Sequence, residues 1–315
     1  MTCPTVRTLT LNPSIDASSD TPKVEPVVKL RMTNEKLDAG GGGINVARVL
    51  LRLGVEVEAV YLAGGANGDV LDHLLERMGL PHESIAISGD SRMSMTVHET
   101  GTGREFRFVP EGPEVSAAEV EAVLAAATDC ASPWFVASGS VPRGVGKDIY
   151  AGLGQRLGPG VRLVLDTSGA ALACALEAGG LYLVKASGDE FAGATGKQYD
   201  GHRAAAAGAR ALVDAGKAEL VAVSFGSGGA VLAARNGAWF VPAPKIKAVS
   251  TVGAGDSFLA GMVYALSQGM EPTEALRWGS AAGGATAMSI GTGLCSAEAV
   301  RALLADIAQP EAVDI

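Results

Sequence analysis

The chain has 315 residues, 48% of them hydrophobic but only 5% aromatic, and a net charge of −9. That is enough chain for one large α/β domain or two small ones, with a core filled mainly by Ala, Val, Leu and Gly. The acidic balance disfavours nucleic acid or an anionic membrane as a general partner, and the 42 glycines cluster rather than repeat, which excludes a collagen-like or low-complexity chain.

Val6–Leu11 reads as the first strand, and Asp16 lies just past it, where a carboxylate could bind sugar hydroxyls or simply complete a turn. Asp20–Leu37 is mixed, with Pro22, Pro26 and the cations Lys29 and Arg31. Four glycines, Gly40 to Gly43, then lead into a helix expected over Ile44–Leu53. Consecutive glycines cost backbone entropy, so either a ligand approaches the chain closely here or the loop is merely flexible. A strand over Val57–Leu62 and a helix over Asp69–Met78 follow.

Arg92–Pro110 reads as a hairpin. Met93, Met95 and Val97 alternate with Ser94, Thr96 and His98, the turn falls near Gly101-Thr-Gly103, and Phe106 and Phe108 lie on the return strand. With the mixed segment it could form a small sheet acting as a lid, or it could be an ordinary surface hairpin. Lys29, Arg31 and Arg92 could hold a phosphate there, or be scattered surface cations.

Beyond the hairpin, helices are expected over Ser116–Ala127, Lys147–Leu157 and His202–Ala215. Strands are expected over Trp134–Ser138, Arg162–Asp166, Leu181–Lys185 and Leu220–Ser224. A second hairpin, Gly229–Ala234 with Ala238–Pro242, should close one sheet edge. The alternation predicts a mostly parallel sheet covered by helices, with ligands at the C-terminal strand ends.

Cys3, Cys130, Cys174 and Cys295 form no CxxC pair, which fits reduced thiols in a cytoplasmic protein. No signal peptide pattern opens the chain, and Ala170–Ala178 is too short to span a bilayer.

The densest chemical signal is Thr251-Val-Gly-Ala-Gly-Asp-Ser-Phe258, at the expected start of a helix over Ser257–Ser267. A helix start leaves about four N–H groups unpaired and carries partial positive charge, so it favours an anion. Asp256 beside such a turn suggests phosphoryl transfer: amides hold the developing charge and the carboxylate takes a hydroxyl proton. Alternatively, Asp256 is only a helix cap. There is no GxxxxGK[ST], and neither glycine cluster completes GxGxxG, which disfavours P-loop and dinucleotide-binding classes.

Gly-Gly-Gly-Gly-Ile-Asn-Val-Ala-Arg at 40–48, paired with Thr-Val-Gly-Ala-Gly-Asp-Ser at 251–257, resembles the PfkB (ribokinase-like) carbohydrate kinases. The resemblance runs essentially end to end, through Thr8-Leu-Thr-Leu-Asn-Pro-Ser-Ile-Asp16, Lys29-Leu-Arg31, Phe106-Arg-Phe-Val109, Ser138-Gly-Ser-Val-Pro142 and Gly291-Thr-Gly-Leu-Cys-Ser296. It implies one ribokinase-like α/β/α domain over 1–315, with a discontinuous β-lid at about 17–37 and 92–110. Asn-Pro-Ser-Ile-Asp16 points to the phosphosugar branch, closest to the minor-isozyme 6-phosphofructokinases. Gly42, where 1-phosphofructokinases and tagatose-6-phosphate kinases usually carry lysine, favours fructose 6-phosphate.

The resemblance also implies residue roles. Asp256 would be the base, with Gly253, Ala254 and Gly255 stabilising the transferring phosphoryl. Asp16, Gly41, Gly42 and Asn45 would hold the sugar, and Lys29, Arg31, Arg92 and Ser140 would lie near its phosphate. Lys185, Ser224, Gly226, Gly229 and Thr251 would line the ATP site, with Gly283 near the adenine. Glu190 would organise Mg²⁺, and carbonyls near Ser250, Val252 and Ser289 a monovalent cation such as K⁺. Ser187 replaces the asparagine of the family's Asn-x-x-Glu, and Ser289 and Gly293 replace bulkier polar residues. The implied reaction is transfer of the ATP γ-phosphoryl to a phosphosugar, by a homodimer joined through the lid. A regulator that has lost catalysis, motivated by Ser187, is the reading from another class.

Overall fold

The computed structural model describes residues 3–315. From β1 (Val6–Thr10) the chain runs through β2 (Ser14–Thr21), β3 (Thr33–Gly40), α1 (Gly42–Arg52), β4 (Val57–Ala63), α2 (Gly65–Met78) and β5 (His82–Ala86). It continues through β6 (Arg92–Glu99), β7 (Arg104–Phe108), α3 (Ala117–Ala127), β8 (Trp134–Ser138), α4 (Leu153–Leu157), β9 (Arg162–Asp166), α5 (Gly169–Ala178) and β10 (Leu181–Ser187). Next come α6 (Gly188–Thr195), α7 (Gly201–Asp214), β11 (Ala218–Ser224), β12 (Ala230–Ala234) and β13 (Gly237–Val241). The last elements are α8 (Ala254–Ser267), α9 (Pro272–Ala287), α10 (Ala297–Leu304) and β14 (Glu311–Ala312).

The ten-stranded sheet has the order β14-β13-β12-β11-β10-β9-β8-β1-β4-β5. From β11 to β5 every neighbouring pair is parallel, and β12 to β14 are added antiparallel. Alternation along the strands sets the layers. In β8, Trp134 and Val136 pack with α1, α8 and α9, whereas Phe135 and Ala137 pack with α3, α5 and α7. Taking a side chain the size of Val136 or Phe135 fully from water contributes about 1.5–3 kcal/mol. The result is a three-layer α/β/α core, as the alternation predicts. In this aromatic-poor interior small residues bring helices together: a Cβ at Gly261 of α8 would lie 2.5 Å from the Trp278 carbonyl of α9.

Two expectations need correction. Lys147–Leu157 is helical only over Leu153–Leu157, because Gly144, Gly146 and Gly152 break the preceding stretch into turns. The second hairpin is not the sheet edge, since Trp239 and Phe240 pair with β14.

The segments that break the alternation build a separate four-stranded sheet, β3-β2-β6-β7. Its pairing aligns Ser14 with Arg92 and Asp16 with both Ser94 and Asp38, and sets Arg107 opposite Thr96. Because successive side chains alternate in direction, Asp16, Asp38, Ser94, Thr96 and Arg107 share one face. No helix among the described residues is long and apolar enough to cross a membrane, and all four cysteines are free.

Candidate active site

From β1 the chain moves to β4 and β5 on one side, then returns to β8 on the other. Such a reversal opens a crevice at the C-terminal strand ends. Thr10 Oγ1 and Ser138 Oγ, at the ends of β1 and β8, are buried there without a hydrogen-bond partner, as is Asn12 Oδ1 just beyond β1. Orphaned polar atoms are uncommon in native interiors and call for a partner from outside the chain.

The glycine run is fitted to this crevice. Gly41 has φ 106°, in the region that favours glycine. A Cβ on Gly42 would lie 2.7 Å from the backbone nitrogen of Gly139. Close backbone approach, rather than flexibility, explains the run.

Gly253, in the left-handed conformation, is the N-cap of α8 and makes no side-chain cap bond. Asp256 is therefore inside the first turn and does not cap the helix. The Ala254 N–H donates to the Thr251 carbonyl (3.4 Å) and the Ser257 N–H to that of Gly253 (2.9 Å). Among the described residues the N–H groups of Gly255 and Asp256 have no acceptor, so the anion-binding end of the helix is open. The side chain of Asp256 turns toward α1, where Asn45 Nδ2 donates to its Oδ2 at 2.9 Å. Burial raises the Asp256 pKa, against the bond from Asn45 and the charge of Lys185.

A cavity of about 160 Å³ joins this turn to the polar face of the small sheet. Ser14, Asp16, Gly41, Gly42, Asn45, Arg92, Ser94, Thr96, Arg107, Val252, Gly253, Asp256 and Thr292 line it. Ser14 Oγ donates to Asp16 Oδ1 at 2.6 Å. Burial raises the Asp16 pKa as well, opposed by Ser14, Arg48 and Arg92. Arg92 is anchored through Nη1 to the Pro110 carbonyl (3.0 Å) and Nη2 to that of Asn12 (3.0 Å). A larger and more open cavity, about 530 Å³, adjoins the far side of Arg92 along Ser88–Asp90, Pro110, Gly112–Glu114 and Arg143, away from Asp16 and Asp256.

Lys185, near the end of β10, is buried and donates to Asp166 Oδ2 at 3.0 Å. A Cβ on Gly255 would come within 2.9 Å of Lys185 Nζ, so the ammonium lies against the open turn. Burial acts to lower the Lys185 pKa, but Asp166 and Asp256 outweigh it and the net shift is upward. Burial pushes Asp166 up to about 6 despite Lys185. Glu190 and Ser187 form a capping box at α6: the Ser187 N–H donates to Glu190 Oε2 (2.7 Å) and the Glu190 N–H to Ser187 Oγ (3.3 Å). Ser224 pairs with Ser187 at the strand ends, and Gly226 opens the 3₁₀ turn Gly226–Gly228 beside them. Gly229 meets a structural demand, since its φ is 93° and a Cβ would overlap the Val241 carbonyl. Thr251 is exposed at the α8 turn. Gly283 lies against that turn, where a Cβ would sit 3.1 Å from the Ala254 carbonyl. The N–H groups of Val249 and Ser250 both donate to the Ala287 carbonyl (2.7 and 3.2 Å), which ties the segment around Ser250 to the end of α9.

Three expected phosphate contacts lie elsewhere. Lys29 and Arg31 are exposed on the connection between β2 and β3 and do not line this chain's cleft, because that connection runs out beyond the sheet. Ser140 is exposed and accepts from Asn12 Nδ2 at 3.1 Å, and neither residue lines the cavity. The sequence reading passed over Arg107 and Asp166. Arg107 could have been found by carrying the hairpin's two-residue period onto its return strand. Asp166 could have been found as an acid ending a buried parallel strand.

A three-layer α/β fold with a carboxylate at an open helix start, in the crevice where strand order reverses, fits a phosphotransferase-type enzyme. The model of the "pfkB family carbohydrate kinase" matches residues 10–299. ATP-dependent 6-phosphofructokinase isozyme 2 of Mycobacterium tuberculosis is 38% identical, covering 98% of this chain and 92% of that protein. A 1-phosphofructokinase of Borreliella burgdorferi is 33% identical, covering 96% and 97%. The crystal structure of phosphofructokinase-2 from Escherichia coli in complex with potassium superposes with a TM-score of 0.91 at 34% identity, covering 96% and 99%. The chain belongs to the pfkB family of carbohydrate kinases, and its fold is the ribokinase-like one.

Proposed function

We propose that this kinase transfers the γ-phosphoryl of ATP to O1 of fructose 6-phosphate. The observation that carries the reading is Asp256, held by a neutral amide beside the free N–H groups of Gly255 and its own backbone. As O1 attacks phosphorus, its proton passes to the Asp256 carboxylate and the bond to ADP breaks. The open helix start and Lys185 stabilise the charge that develops on the phosphoryl oxygens. Asp16 and Asn45, which line the cavity, are the groups offered to the sugar. Arg92 and Arg107, both on the small sheet, are offered to its 6-phosphate. That sheet then acts as a lid that excludes water and limits wasteful ATP hydrolysis.

Two ions fit the donor groups present. Glu190 keeps Oε1 free while Oε2 is held by the cap, so it suits Mg²⁺, which takes oxygen ligands and keeps several waters. When bound there, Mg²⁺ would neutralise phosphate charge; Ser187, engaged in the same cap, offers only a hydroxyl where the family carries an amide. The family resemblance offers the carbonyls of Ser250, Val252 and Ser289 to a monovalent cation, on segments that the Ala287 carbonyl ties to the end of α9.

Gly42 supports fructose 6-phosphate over fructose 1-phosphate or tagatose 6-phosphate. A coupled ADP-release assay across these three and free fructose tests the choice. The highest kcat/KM should fall on fructose 6-phosphate; a higher value for either other phosphosugar would transfer the chain to that branch. Val27, Val28, Leu30, Met32, Leu37 and Phe108 expose apolar surface around the small sheet, and support a dimer joined there. Since Lys29 does not line its own cleft, a phosphate contact is open to it only across such a dimer. Sedimentation of the purified chain tests this, and a monomer at assay concentration would refute it.

A further inference from the structure

Arg48 is almost wholly buried, yet no substrate-facing role accounts for it. Its Nη2 donates to Asp38 Oδ1 (2.9 Å), and its Nη1 donates to the Ala39 carbonyl (2.6 Å) and to Asn45 Oδ1 (3.1 Å). Asp38 Oδ2 accepts in turn from Thr292 Oγ1 (2.6 Å) and pairs with Lys36 (2.8 Å). A buried ion pair of this kind is weak support for stability, because desolvation consumes most of the attraction. Something other than stability should therefore explain it.

We propose that Arg48 is a positioning residue that couples the seating of the small sheet to the orientation of the catalytic aspartate. The inference rests on the kinase reading of Asp256. The two ends of an asparagine amide are nearly the same shape but opposite in hydrogen bonding, and the partners decide which end faces where. Guanidinium nitrogens only donate, so Arg48 selects Oδ1 of Asn45. That leaves Nδ2 to donate to Asp256 Oδ2 at 2.9 Å. With the amide reversed, Oδ1 would face the carboxylate and repel it.

The other end of the relay lies on the sheet. Asp38 and Ala39 belong to β3, and Asp38 is paired in register with Asp16 of β2. A shift of β3 removes two of the three Arg48 contacts together and releases the Asn45 amide. The base is held for proton transfer only while the sheet is seated, which ties the readiness of Asp256 to closure over the sugar.

The test compares the full chain with Arg48→Lys, Asp38→Asn and, as a control, Asp72→Asn. Asp72 accepts from Tyr61 Oη (2.5 Å) and Ser84 Oγ (2.9 Å), outside the cavity described above. Lysine keeps the charge but lacks the planar two-nitrogen fork that Arg48 uses to bond Asp38 through Nη2 and Asn45 through Nη1. Misplacing a reacting group by about 1 Å can cost about 10²-fold. Arg48→Lys should therefore lower kcat by about 10²-fold, and Asp38→Asn by about tenfold, with KM for both substrates within about twofold. The Asn45 side-chain NH₂ resonances, assigned by ¹⁵N NMR, should shift in both variants. Asp72→Asn should lower Tm but leave kcat per folded molecule and those resonances unchanged. Unchanged kcat in Arg48→Lys, a fall matched by the control, or unmoved Asn45 resonances would each overturn the proposal. A wild-type chain inert toward every sugar phosphate would remove the kinase reading instead, and the amide resonances would still report on Arg48.

Discussion

Asp256→Asn separates the catalytic reading from any structural one, because the two demand opposite signs. Asparagine has nearly the same volume, and its oxygen can still accept from Asn45, so the cavity wall stays in place. The sugar would then meet an NH₂ donor or a non-basic oxygen where it needs a proton acceptor. Losing a general base costs about 10²–10⁴ in rate, which is about 3–5 kcal/mol of transition-state stabilisation. Asp16, Arg92 and Arg107 remain, so KM for fructose 6-phosphate should change by less than about threefold. Stability should move the other way. Burial raises the Asp256 pKa, so its ionised form costs stability at neutral pH, and the neutral amide removes that cost. The measurements are steady-state ADP release and a thermal melt above neutral pH. Turnover within tenfold of the unaltered enzyme, or a clear drop in Tm, would refute the reasoning.

Three further outcomes follow from the same geometry. Arg92→Met and Arg107→Met should each raise KM for the sugar phosphate about 10- to 100-fold, the value of a charge-assisted hydrogen bond, with kcat changed less; an unaltered KM in either removes that arginine from the phosphate contact. Gly42→Ala should depress both Tm and kcat, since its Cβ would lie 2.7 Å from the backbone nitrogen of Gly139; normal activity would revive the flexible-loop reading. Asp16, Asp166 and Asp256 all have folded pKa values above the ordinary aspartate value, Asp166 at about 6. The folded state therefore holds more protons than the unfolded one in weak acid, and these groups make stability fall as pH rises toward about 6. Urea melts of the wild type and Asp166→Asn across that range should show a smaller contribution of this sign in the variant, and equal pH dependence would refute it.

The parallel core was legible because buried parallel strands are short apolar runs, and these are unambiguous at Trp134–Ser138 and Arg162–Asp166. The α8 turn was legible because only glycine accepts the backbone needed at Gly253. What escaped depended on contacts distant in sequence. Lys29 and Arg31 have suitable chemistry, but the path of the chain between β2 and β3 decides where they sit, and no local pattern encodes it. Arg107 enters the cleft only through its pairing with Thr96. α9 begins at Pro272 and is rich in Ala and Gly, so its apolar stripe is faint until it packs against α8.

The chain's net charge of −9 and its proposed affinity for two anions agree once burial is counted. Surface acids act through water and salt, with a screening length of about 8–10 Å. Around the cleft two acids are already matched: Asp38 by Arg48 and Lys36, Asp166 by Lys185. Asp16 and Asp256 are bonded only by neutral side chains, Ser14 and Asn45. Asp38 and Asp166 are taken up by these partners and do not line the cavity, whereas Asp16 and Asp256 do. Of the two, only Asp256 adjoins open helix amides and the Lys185 ammonium, where a phosphoryl group can be held within reach of the hydroxyl it deprotonates. On the proposed reading Asp16, which lines the cavity with Arg92, would orient the sugar. That division of labour predicts that Asp16→Asn should act mainly on KM for the sugar, whereas Asp256→Asn acts on kcat. Exchanged effects in the two variants would reverse the assignment.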